Sequence, residues 1–252
     1  MAELDRRYEQ TVGRADVGVI DEGLRSYMLR VYNYMASGVA ITGVVAYVIY
    51  SMSVVTGADG SITGLTSFGN LMYASAFKWI VIFAPLAMVF FLSFKIQSLS
   101  IGTAQMLFWL FSALMGASIS SIFLIYAGES IARVFFITAA AFGALSLWGY
   151  TTKKDISGWG SFLFMGLIGI ILASLVNLFI GSTALQFAVS VIGVLVFAGL
   201  TAYDTQQIKE MYSVNDDGTV AGKKAVMGAL RLYLDFINLF LMLLQLFGSN
   251  RN

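Results

Sequence analysis

The chain has 252 residues, 58% of them hydrophobic and only 12% charged, with a mean hydropathy of +0.81. A soluble domain carries roughly 25% charged residues, so the bilayer has to solvate the apolar excess that one core could not bury. A net charge of +1 leaves no footprint for nucleic acid, and the absence of histidine and cysteine removes His-based catalysis, thiol nucleophiles, disulfides and Cys/His zinc sites.

Residues 1–30 are polar and mixed in charge, from Glu3 and Asp5 to Arg25 and Arg30, and are expected to form a cytoplasmic N-terminal tail. No apolar run follows a short basic start, so a secretory signal peptide is not expected. Seven apolar stretches come next, near 31–52, 78–97, 104–126, 131–150, 159–180, 185–207 and 227–247. Each is close to the ~20 residues that cross hydrocarbon. The expectation is an all-α integral membrane domain of seven transmembrane helices over 31–248. Two connections are longer: 53–77, rich in Gly and Ser, and 208–226, which holds Lys209, Glu210, Asp216, Asp217, Lys223 and Lys224.

Basic residues set the expected orientation. With the N-terminus inside, the cytoplasmic segments hold Arg6, Arg7, Arg14, Arg25, Arg30, Lys95, Lys153, Lys154, Lys209, Lys223 and Lys224, against Lys78, Arg133 and Arg251 outside. The C-terminus is then outside. Trp79, Trp148 and Trp159 fall at span ends, as interfacial belts do. Ala139, Gly143, Gly166, Gly169, Ala198 and Ala202 recur at helical spacing and suit close helix packing.

Ionisable groups inside hydrocarbon cost several kcal/mol unless paired or wetted, and so mark candidate functional sites. Asp204 lies in span six, and Asp235 with Arg231 in span seven; Lys95 sits near the cytoplasmic end of span two, where it can snorkel. Counted at 1.5 Å per residue from the cytoplasmic ends, the two aspartates are level to within roughly 5–8 Å. Two carboxylates meeting in a dry site cannot both ionise freely; they share a proton and titrate as a unit. A calcium ion could replace that proton, since it prefers oxygen ligands. Asn238 follows Asp235 by one turn and Thr201 precedes Asp204 by about one, so with waters and carbonyls the site would be loose and weak. Against this stands a purely structural cluster, because Arg231 precedes Asp235 by the four residues of a helical ion pair.

Ser213-Val214-Asn215-Asp216-Asp217-Gly218 has an EF-hand flavour, but Lys224 stands where the bidentate Glu is needed, and a polar turn is the better reading. Glu129 is read as a helix-start residue favoured by the dipole, with a vestibule cation ligand as the alternative.

Two sequence runs resemble the Bax inhibitor-1 family of transmembrane proteins. One is Gly199-Leu200-Thr201-Ala202-Tyr203-Asp204-Thr205-Gln206; the other is Gly228-Ala229-Leu230-Arg231-Leu232-Tyr233-Leu234-Asp235-Phe236-Ile237-Asn238-Leu239-Phe240. Gly149-Tyr150-Thr151-Thr152-Lys153-Lys154-Asp155 and Asn177-Leu178-Phe179 also match, and the resemblance covers about 31–248. It implies seven helices with the last one central, surrounded by the other six. It also implies a pH-sensitive calcium leak channel gated by an aspartate pair falling on Asp204 and Asp235, in a bacterial inner membrane. The family's latch, an arginine at the end of span two, has Lys95 as its closest counterpart, a non-forked partner.

The same resemblance supports an alternative: an interaction protein that modulates a membrane-anchored AAA protease or cell-death and stress machinery, with the aspartates structural. Two intramembrane aspartates also suggest an intramembrane aspartyl protease. Asp235, however, follows Leu232-Tyr233-Leu234 rather than Gly-x-Gly, and the only proline, Pro85, precedes Leu86 rather than Ala-Leu, so an enzyme is not expected. No cofactor is expected beyond Ca2+ as a permeant or weakly bound ion.

Overall fold

A computed structural model describes residues 2–58 and 61–251, with side chains from Glu22 onward. Seven long helices dominate: α1 (Ala2–Ser53), α2 (Phe77–Lys95), α3 (Ile101–Ile119), α4 (Gly128–Thr151), α5 (Trp159–Ile180), α6 (Thr183–Glu210) and α7 (Gly218–Phe247). Each contributes one of seven segments long and apolar enough to cross a membrane.

Two boundaries differ from the sequence reading. Helix α1 runs unbroken from Ala2 to Ser53, so the helix itself starts well before the apolar stretch at 31. Tyr27, Met28 and Val31 are buried while Arg25 and Arg30 stay exposed, so charge on one face had masked an apolar stripe on the other. Arg6, Arg7 and Arg14 lie outside the residues whose side chains are described. Helix α7 starts at Gly218 rather than 227, because Asp217 caps it, accepting the Val220 N–H at 2.7 Å. Ser100 and Ser182 cap α3 and α6 in the same way. Helix α5 ends on Gly181, whose φ of +65° is the left-handed conformation that favours glycine.

The described residues of the 53–77 connection, all but 59 and 60, fall mostly in regular elements. Strands β1 (Val54–Thr56) and β2 (Ile62–Leu65) pair antiparallel, and a π-helical turn at Asn70–Ala74 leads into α2. The Tyr73 hydroxyl from that turn lies 3.0 Å from Ser120 Oγ. At the same end of the bundle the C-terminal segment is tied to the α3–α4 turn: Ala127 N–H donates to Ser249 O, and Arg251 N–H to Ile125 O.

Helix α7 is the most enclosed span, with 67% of its apolar window buried against 33% or less elsewhere. It packs on α1, α3, α4 and α6. The sequence reading had all six other helices surrounding it; of these, α2 packs mainly on α3 and α5 mainly on α6, and both stand back from α7. These two are also the most apolar and least buried spans, at 17% and 11%, so lipid takes the place of protein along them. Close approach holds the rest together. A Cβ on Gly149 would sit 2.4 Å from the Ala202 carbonyl oxygen, so α4 and α6 meet backbone to backbone. Of the small residues singled out above, Ala202 and Gly166 pack tightly, whereas Gly143 and Gly169 face open space.

Candidate functional site

The space between α7 and the two helices that stand back from it is a cavity of about 810 Å³. Residues of α2, α3, α5, α6 and α7 line it. Most are apolar; the polar ones are Ser118, Tyr203, Asp204, Arg231, Asp235 and Asn238.

The register of α6 against α7 explains why the two acids meet. Gly228 lies against the side chain of Ile208. From that level Asp204 is four residues along α6 and Asp235 is seven along α7, or about 6 Å and about 10 Å at the helical rise. The carboxyl groups face each other within hydrogen-bonding reach. Two carboxyls can share such a bond only with a proton between them. Asp235 is 4% exposed, and its Oδ2 has no hydrogen-bond partner among the described residues.

Arg231 shares the cavity, and its charge acts on both aspartates. It is exposed and makes no ion pair; among the described residues the one salt bridge is Lys224–Asp216, at 2.6 Å. The helical Arg231–Asp235 pair allowed by spacing is therefore not formed. Asn238 lines the cavity, its amide N–H donating to Leu234 O at 2.8 Å. Thr201 does not line it; this buried hydroxyl donates to Phe197 O at 2.8 Å. Lys95 is exposed and absent from the lining. Helix α2 reaches the cavity through Ile82, Pro85, Leu86 and Val89, and Lys95 lies six residues, about 9 Å, beyond Val89. The structure thus brings together Asp204, Asp235, Arg231 and Asn238, and leaves Thr201 and Lys95 apart from them.

Sequence reasoning missed two features of the lining. Pro85, inside α2, has no N–H, so the carbonyl of Val81 lacks its helical donor. A lone proline in an apolar span was the signal. A smaller cavity of about 130 Å³, lined by Lys78, Val81 and Tyr73 among others, shares Ile82 and Ser118 with the larger one. It extends the space toward the end of the bundle that carries the β1–β2 hairpin. No group of three or more acidic, His or Cys residues that could hold a metal occurs among the described residues.

Comparison with known proteins adds a family. The model of the family described as inhibitor of apoptosis-promoting Bax1 matches residues 24–252. An inner membrane protein of Escherichia coli, YbhL, is 50% identical over 231 residues, 91% of this chain and 94% of that protein. A Rickettsia prowazekii protein is 49% identical over 92% of this chain and 93% of its own length. A Caulobacter vibrioides protein is 45% identical over the full length of both.

Proposed function

The chain belongs to the Bax inhibitor-1 family, and on that premise we propose that it is a multi-pass protein of a bacterial inner membrane that lets calcium leak passively under the control of protons. The observation that carries this reading is the facing pair Asp204 and Asp235, from different helices, in a cavity whose one other charged side chain is Arg231.

With one proton held between them, the two carboxyls carry one negative charge, which Arg231 balances. Loss of that proton leaves the cavity net negative and able to draw in a cation. Calcium takes about six to eight oxygens. Two carboxyls, Asn238 and water make a sparse set, suited to passage rather than retention. The lower-lying basic residues Lys209, Lys223 and Lys224 favour placing their end of the bundle in the cytoplasm, with the C-terminus outside.

The test is calcium flux from dye-loaded liposomes over a pH series. The wild type is expected to leak more as pH rises, and Asp235→Asn and Asp204→Asn are each expected to flatten that dependence. A wild-type profile retained by both variants removes the gating role.

A further inference from the structure

Two other cavities meet on α1. One, of about 450 Å³, lies between α1 and α4 over Met28, Phe142 and Ser146, with Leu29 and Leu147 on its rim. The second, also about 450 Å³, is an open hollow on the surface of α1 alone, as apolar as polar, and its lining includes Glu22, Arg25, Arg30 and Asn33. Arg25 and Leu29 belong to both, so the two form one groove with an apolar arm and a basic mouth. Each has the size of a small-ligand site.

Depth gives the groove its direction. Arg25 lies six residues, about 9 Å along the helix, before the apolar stretch of α1 that starts near residue 31. The apolar arm runs from there to Tyr32 on α1, and from Tyr150 back to Phe142 on the antiparallel α4. At the helical rise this is about 10–12 Å of travel toward the hydrocarbon. The floor belongs to the core, since Met28 is 2% and Phe142 5% exposed. At depth a hydroxyl pair bridges the two helices, Tyr32 to Ser146 at 2.7 Å.

The mouth is basic without being neutralised. Arg25 and Arg30 make no ion pair among the described residues, although Glu22 shares the lining. Lys209 stands beside Tyr150 of the apolar arm, donating to its carbonyl at 2.9 Å and lying 5.5 Å from its ring centroid. We propose that this groove binds one anionic phospholipid, its phosphate at Arg25 and Arg30 and one acyl chain between α1 and α4. A free anion would leave the apolar arm unused, and a zwitterionic lipid would bring its own cation to the mouth beside its phosphate and leave the arginine charge uncompensated. The site is separate from the carboxyl cavity and does not rest on the channel reading.

The experiment is native mass spectrometry of the full chain released from nanodiscs of equimolar phosphatidylglycerol and phosphatidylcholine. The wild type is expected to retain one phosphatidylglycerol with a preference on the order of tenfold. Arg25→Gln with Arg30→Gln is expected to bring the preference close to parity. Gly143→Leu, at a position where an added Cβ meets nothing within 4 Å, fills the arm and is expected to abolish retention with the arginines intact. Three results overturn the proposal: no preference in the wild type, no change in the arginine variant, or wild-type retention by Gly143→Leu, which would mean attraction by surface charge alone. Displacement by an equal concentration of inorganic phosphate would likewise reduce the groove to an anion site.

Discussion

The Tyr233 hydroxyl lies 2.6 Å from Thr42 Oγ1, a fully buried contact that joins α7 to α1. Tyr233 and Asp235 are two residues apart on a helix of 3.6 residues per turn, so they point to nearly opposite sides. Anchoring Tyr233 toward α1 therefore turns Asp235 toward the cavity. Thr42 also contacts the carbonyls of Gly38 and Ser112, at 2.9 and 2.8 Å, so its own hydrogen is directed there and Tyr233 is the donor to it. Tyr233→Phe removes a donor and leaves Thr42 bonded, at an expected cost of about 1 kcal/mol. Thr42→Val strands the Tyr233 hydroxyl in the core, at an expected cost of about 1–3 kcal/mol. Unfolding of both variants in mixed detergent micelles checks the order. A Tyr233→Phe protein that is the less stable of the two would refute this assignment of donor and acceptor.

Two glycines of α4 are expected to behave oppositely. At Gly149 a methyl group would collide with the Ala202 backbone, forcing α4 away from α6. Gly149→Ala is expected to lower stability by about 1–3 kcal/mol, as overpacking does. At Gly143 a methyl group meets nothing within 4 Å, and Gly143→Ala is expected to gain up to about 1 kcal/mol through helix propensity. Thermal unfolding of the pair, compared side by side, decides this.

Sequence alone exposed the spans and the two acids because both leave a one-dimensional trace: long apolar runs, and a charge where hydrocarbon should tolerate none. Depth counted from span ends was enough to put Asp204 and Asp235 near one level. Lateral packing leaves no such trace. Helices α2 and α5 are apolar along their whole length, so apart from Pro85 nothing in Phe77–Lys95 or Trp159–Ile180 announced that these helices stand back and open a cavity. The same holds for hydroxyl chemistry. The run from Tyr32 through Ser146 to Thr205, in contacts of 2.7 and 2.8 Å, links residues 114 and 59 positions apart that look unremarkable singly. The buried side of α1 near Arg25 and Arg30 is hidden for a different reason: these charges share a helix with Tyr27, Met28 and Val31, and averaging along the chain conceals an amphipathic face.

The turn between α4 and α5 depends on one buried amide. Gln206 of α6 accepts from the Ile156 N–H at 2.9 Å and donates to Lys154 O at 2.8 Å. Gln206→Leu leaves a buried N–H without its acceptor and is expected to cost about 1–3 kcal/mol. Next to it, exposed Asp155 accepts the Ser157 N–H at 2.9 Å, and bonds from Ser157 hold its carboxyl below the usual carboxylate range. A depressed carboxyl contributes at neutral pH and loses its contribution as pH falls through that lowered value. The protection of the Ser157 amide, its exchange rate referred to the intrinsic rate at each pH, is accordingly expected to fall on acidification in the wild type and to lose this step in Asp155→Ala. An unchanged profile in the variant would detach the effect from Asp155.

Arg231 separates the gating role from a structural one. It lines the cavity, acts on both carboxyls and pairs with neither within 4 Å, so Arg231→Gln has no ion pair to lose and is expected to change stability by no more than about 0.5 kcal/mol. Its effect on transport is expected to be larger. Without the guanidinium the two carboxyls lose their one neighbouring counter-charge, and the pair gives up its proton less readily than in the wild type. Calcium flux should then rise at a higher pH than in the wild type, by on the order of one pH unit. Once that proton is gone the cavity holds two uncompensated negative charges, so flux at high pH should exceed that of the wild type. Asp204→Asn predicts the contrasting curve, flat in pH, because one carboxyl has no partner with which to share. Superimposable flux curves for Arg231→Gln and wild type, with both proteins equally stable, would leave the guanidinium a bystander and take the electrostatic argument for gating with it.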